Sequence, residues 1–84
     1  EYINMVRNRA GLDNLSGATL AQVLEERGKE MIWEGTRRQD MIRFGEYNKA
    51  WWEKPESPSW RNIFPVPQNQ INTNANLLPQ NTGY

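Results

Sequence analysis

Residues 25–45, EERGKEMIWEGTRRQDMIRFG, hold ten of the chain's twenty charged side chains, and no fold is acceptable that leaves these charges buried and unpaired. The run still carries a helical apolar stripe. Leu20, Leu24, Gly28, Met31 and Gly35 fall on one face at three-to-four spacing, with Val23 beside them. If the helix continues past Gly35, Ile42 rejoins the stripe and Met41 flanks it. Arg27, Glu34 and Arg38 then lie on or beside the apolar face, and Glu30 and Arg37 line its edge. The expected feature is a half-buried ion-pair network of Arg27, Glu30, Glu34, Arg37, Asp40 and Arg43. Its members are linked at three- or four-residue helical spacing: Arg27 to Glu30, Glu30 to Glu34, Glu34 to Arg37 or Arg38, and Arg37 to Asp40. Gly35 offers the alternative of two helices with the network at their junction. Two glycines on a packing stripe cost roughly 1 kcal/mol each in helix propensity. A neighbouring helix in close approach at Gly28 would offset that cost.

Two carboxylates one helical turn apart, Glu30 and Glu34, also suit an acid–base pair such as a glycosidase uses. The surrounding arginines favour a structural reading, because they hold carboxylates ionised and leave no proton-bearing acid. No catalytic residue is assigned. The chain has neither cysteine nor histidine, which excludes disulfides and thiolate metal sites and leaves a zinc site only carboxylates. No metal site is expected.

The flanks read as helix and loop. Tyr2, Ile3, Val6 and Ala10 share one face, Arg7 and Arg9 suit the carbonyl end of the dipole, and Gly11 is a left-handed stop. No capping side chain precedes Tyr2. The expectation is therefore a C-terminal piece of a longer protein, beginning inside or just before a helix. Leu15 is the expected anchor of the loop at residues 13–18. Thr19 with Gln22 forms a capping box that opens the second helix. Ten basic residues balance ten acidic ones, so the chain lacks the positive footprint of a nucleic-acid-binding domain.

Beyond Gly45 the composition shifts. Tyr47, Trp51, Trp52 and Trp60 crowd a segment with Pro55 and Pro58, and the prolines stop any regular element after Lys54. Exposed rings here would stack on a flat ligand such as a sugar, whereas packed rings would pin the loop. Trp51, Trp52 and Trp60 are thus candidate ligand-binding residues, with packing the favoured role. FPVP at residues 64–67 is extended. Gln68 to Ile71 suits one helical turn, and the Asn/Gln-rich tail is expected to be ordered without regular structure, docked by Leu77, Leu78 and Tyr84.

Several of these residues together resemble a known family. Glu26, Arg27, Glu30, Glu34, Gly35, Arg37, Asp40, Ile42, Arg43 and Gly45 match in type and spacing a motif near the C-terminus of SusD/RagB-type proteins. Asn4-Met5-Val6-Arg7-Asn8-Arg9-Ala10-Gly11-Leu12 resembles the preceding helix end, Phe64-Pro65-Val66-Pro67 the family's FPIP, and Gln80-Asn81-Thr82-Gly83-Tyr84 its closing QNPGY. Four motifs in one order make the match specific. Arg38 and Gln39 depart from it where aromatics are usual, Thr36 where histidine is common, and Gln70 and Thr82 where an acid and a proline are frequent.

The resemblance implies an all-α, tetratricopeptide-like SusD-type fold, of which this chain is the C-terminal fragment, with a long loop and an extended, irregular tail. Residues 1–84 would form part of a single domain: 1–45 helical, 46–62 an aromatic and proline loop, 63–84 the tail. It implies a non-catalytic lipoprotein on the outer face of the outer membrane, anchored through an N-terminus beyond this chain. Such a protein captures oligosaccharide or polysaccharide, or in some members peptide, for a SusC-like TonB-dependent transporter. Some members carry calcium, but the family as a whole needs no cofactor. The charged helix and the tail would be scaffold. The alternative is a helical scaffold that binds another protein and no nutrient.

Overall fold

The computed structural model describes residues 1–84 and divides them into two units, 1–45 and 46–84. The chain is helical and has no strand.

In the first unit α1 spans Tyr2–Arg9. It closes on Gly11, whose φ of 76° lets the amides of Gly11 and Leu12 bond back to the carbonyls of Asn8 and Arg7 at 3.0 and 2.9 Å. Asn4 fastens the following loop: its side-chain amide donates to the Leu15 carbonyl at 3.0 Å and its oxygen accepts from the Leu15 amide at 2.8 Å. Helix α2 spans Leu20–Glu30 and opens on the expected capping box, Thr19 accepting from the Gln22 amide while the Gln22 side chain accepts from the Thr19 amide.

The charged run is not one helix. Residues 31–35 form turns in which Trp33 and Gly35 take positive φ, and α3 then spans Arg37–Arg43. Helices α2 and α3 pack together, with Leu24 and Met41 the buried apolar side chains and Glu26 and Asp40 the buried acids. What comes closest to Gly28 is a side chain of α3. This neighbour is the Arg37 guanidinium, which would lie 2.7 Å from an added Cβ and donates to the Leu24 carbonyl at 2.8 Å. The glycine makes room for an arginine that reaches a backbone carbonyl of α2.

In the second unit Trp51 and Lys54 exchange both backbone hydrogen bonds at 3.0 Å across a tight turn. A 3₁₀ turn follows at Ser59–Asn62, then α4 at Gln68–Thr73 and a second 3₁₀ turn at Ala75–Leu77. The single helical turn expected after FPVP is thus extended, and the tail contains regular structure. Polar side chains dock it. Gln80 brackets Val66, accepting from its amide and donating to its carbonyl, both at 2.8 Å. Asn81 donates to the Phe64 carbonyl at 2.7 Å and the Tyr84 hydroxyl to the Ile63 carbonyl at 2.9 Å. Leu77 and Leu78, the expected anchors, are 39% and 56% exposed. The extended FPVP backbone, two of its residues prolines, has carbonyls with no ladder partner, and amides and a hydroxyl satisfy them better than leucines can.

Candidate functional site

The charged junction and the aromatic turn are the two places where this chain concentrates chemistry. At the junction Asp40, on the first turn of α3, accepts from Arg27 Nε at 2.8 Å and from Arg43 Nη2 at 3.0 Å. The Arg27 hydrogen bond, more than its charge, holds the Asp40 carboxyl below the usual carboxylate range, and the same bond raises the Arg27 guanidinium. Of the six residues expected in the network, Arg27, Asp40 and Arg43 come together. Arg37 donates instead to the Leu24 carbonyl, Glu30 pairs with Arg9 of α1, and Glu34 lies exposed on the turn with no ion pair.

The reason is the break at residues 31–35. The three-to-four spacings assumed one helix, but α2 ends at Glu30, so charges on either side meet across the junction and not along it. Two residues of α1 also join. Arg7 pairs with buried Glu26 at 3.0 Å and donates to the Asp13 carbonyl at 2.7 Å, where the sequence suggested only a dipole role. Helical spacing cannot reveal a partner nineteen residues away. Beside these pairs lies an apolar cavity of about 350 Å³ lined by Tyr2, Ile3, Val6, Val23 and Met31 together with Glu26, Arg27 and Glu30. Glu30 and Glu34 are not one turn apart on a common helix, so the geometry that suggested an acid–base pair is absent.

In the second unit the rings divide into two clusters. Trp60 meets the Tyr84 ring edge-on at 4.8 Å between centroids, carries the Arg61 guanidinium 5.1 Å from its own, and lies so close to Gly83 that a Cβ there would collide with the indole. Trp51 meets Tyr47 edge-on at 6.5 Å, and Lys54 Nζ sits over its ring at 4.5 Å. Trp52 joins neither cluster and is 87% exposed. A cavity of about 220 Å³ adjoins the turn, lined by Tyr47, Lys54, Glu56, Ser57 and Arg61 among others. The residue that the sequence did not single out is Glu53, held at φ 60°. Nothing in a Trp-Glu-Lys tripeptide announces a left-handed glutamate.

Residues 1–59 match the SusD family. The chain belongs to that family. It is 34% identical, over 98% of its own length, to the starch-binding protein SusD of Bacteroides thetaiotaomicron, and it spans 16% of that protein. Its fold superposes with a TM-score of 0.81 on the surface glycan-binding protein A of the same organism. That match has 32% identity and covers 96% of this chain and 18% of that one. Both likenesses take in the segments after residue 59, where Gln80 and Asn81 clamp residues 64–66. Within this SusD-family chain the charged junction holds helices together, and the aromatic turn leaves the ring of Trp52 open.

Proposed function

We propose that this segment is the C-terminal part of a non-catalytic, lipid-anchored SusD-family protein. In this reading the protein captures glycans at the cell surface and passes them to a SusC-like TonB-dependent transporter in the outer membrane. Similarity along nearly the whole chain to two proteins named for binding starch and surface glycans carries this reading. The charged junction and the clamped tail serve as scaffold.

The test is calorimetric titration of the full-length protein with panels of oligosaccharides and peptides, with reducing ends assayed in parallel. Saturable binding of at least one oligosaccharide without release of new reducing ends is expected. Saturable peptide binding alone would move the cargo to peptide. A transporter partner should co-purify from mildly solubilised outer membranes. One observation favours a second reading, a scaffold that contacts protein alone. Ile32 and Trp33, 67% and 97% exposed, stand side by side on the turn between α2 and α3. That reading requires no saturable binding of any oligosaccharide or peptide.

A further inference from the structure

Three tryptophans share the second unit, and only one offers a free ring. Trp60 is engaged by Tyr84, Arg61 and Gly83, and Trp51 by Tyr47 and the Lys54 ammonium. Trp52 sits between the two turn-closing residues, 87% exposed, with no ring or cation against it.

The turn that carries it is braced from below. Besides the reciprocal backbone pair of Trp51 and Lys54, the Lys54 ammonium donates to the Lys49 carbonyl at 3.0 Å, the Pro55 carbonyl at 3.3 Å and Ser57 Oγ at 3.4 Å. The Ser57 amide in turn donates to the Asn48 carbonyl at 2.9 Å. All three ammonium protons are used, so this lysine is a brace and not a free cation. The next residue, Glu53, is held at φ 60°, a conformation that costs a residue with a Cβ and persists where the surroundings enforce it, often at ligand clamps. With the backbone fixed in advance, only the two side-chain torsions of Trp52 remain to be ordered when a ligand stacks on it.

The chemistry around the ring selects the ligand. Residues 46–84 hold three acids and three bases. Lys49 pairs with Glu46 at 2.8 Å, Lys54 is spent in the brace, and Arg61 lies against Trp60. Glu53 and Glu56 are in no ion pair or hydrogen bond. The segment thus offers an apolar ring face, two unpaired carboxylates and no unspent cation. A phosphate, sulfate or uronate chain would be repelled. An apolar protein patch would find one ring among charged neighbours. A neutral pyranose has C–H bonds for the ring and hydroxyls to donate to the carboxylates.

We propose that the turn at residues 51–54 is a stacking subsite for neutral glycans, with Trp52 as its platform and Glu53 as a hydroxyl acceptor. The proposal rests on the glycan-capture reading and adds a place and a charge preference to it. The test is affinity electrophoresis of the full-length protein in gels containing starch, mannan or xylan, or else polygalacturonate or chondroitin sulfate. Wild type should be retarded by at least one neutral polysaccharide and by neither anionic one. Trp52→Ala should weaken that binding roughly 5- to 150-fold, the range for loss of one stacked ring. Trp52→Phe should retain most of it. Circular dichroism should show both variants folded, since the side chain is exposed. Neutral-glycan binding that Trp52→Ala leaves unchanged would overturn the subsite and spare the general reading. Retardation by the anionic chains would overturn the charge argument. No retardation by any of the five would remove the general reading and the subsite with it.

Discussion

Asp40 is 4% exposed and lies between the guanidinium groups of Arg27 and Arg43. A carboxylate that buried is tolerable only with its cations in place. Because the Arg27 hydrogen bond lowers its pKa in the folded state, the folded protein binds fewer protons at this site than the unfolded chain. Its contribution is therefore complete above the unfolded pKa, near 4, and is lost as the pH falls from there through the lowered folded value. Melting midpoints of the full-length protein between pH 2 and 6 should drop on the acid side, and Asp40→Asn should flatten that drop while lowering the midpoint at neutral pH. Parallel curves for the two proteins would mean that Asp40 is not a principal source of acid sensitivity. The sequence showed that Asp40 needed arginines. Helical spacing pointed to Arg37, which instead reaches the Leu24 carbonyl, whereas Arg27 lies thirteen positions away and meets Asp40 only after the chain has turned at residues 31–35.

At the scale of elements, α2 and α3 are joined by Arg37 reaching over Gly28 to the Leu24 carbonyl. Adding a methyl group at Gly28 has two opposing effects. It gains about 1 kcal/mol of helix propensity in α2. It also displaces the guanidinium and loses a charged hydrogen bond worth about 1.5 kcal/mol, the low end for such bonds and appropriate for this half-exposed site. Gly28→Ala alone should be neutral to slightly destabilising. In an Arg37→Ala background the same change should stabilise by about 1 kcal/mol, because only the propensity gain remains. Denaturant melts of the four proteins give the coupling directly. An equal effect of Gly28→Ala in both backgrounds would show that Arg37 does not occupy the space above the glycine. The stripe pattern correctly marked Gly28 as a point of close approach. It could not distinguish a helix from the tip of an arginine, since both demand the same missing side chain. Element starts were more legible than element joins: the Thr19–Gln22 box and the Gly11 stop are local chemistry, whereas the α2–α3 join depends on Trp33 and Gly35 taking positive φ.

For the molecule as a whole, the unequal distribution of burial decides what these 84 residues can do by themselves. Leu24 and Met41 are its buried apolar side chains, and no side chain is fully buried. Tyr2, Met5, Leu20, Ile32, Trp33 and Phe64 are all more than 60% exposed. Order is maintained mainly by directional polar contacts: Asn4 on Leu15, Arg7 on Glu26, Arg27 on Asp40, and Gln80 on Val66. Such bonds fix geometry but contribute little net free energy, because water offers the unfolded chain equivalent partners. Fixing the backbone costs roughly 1–2 kcal/mol per residue, and apolar burial is the term that ordinarily offsets it. This balance also explains why the SusD-type fold was legible here. The motifs that identify it, the charged run and the FPVP and QNTGY segments, are clamps, and clamps need particular side chains where a generic core needs only hydrophobicity. The same reasoning predicts that the 84-residue chain, prepared alone, will lack a cooperative transition. Its far-ultraviolet dichroism should change gradually with temperature and its near-ultraviolet signal from four tryptophans should be weak. The full-length protein should melt sharply. A sharp two-state melt of the isolated chain, with strong near-ultraviolet dichroism, would show that the polar clamps suffice without a buried core.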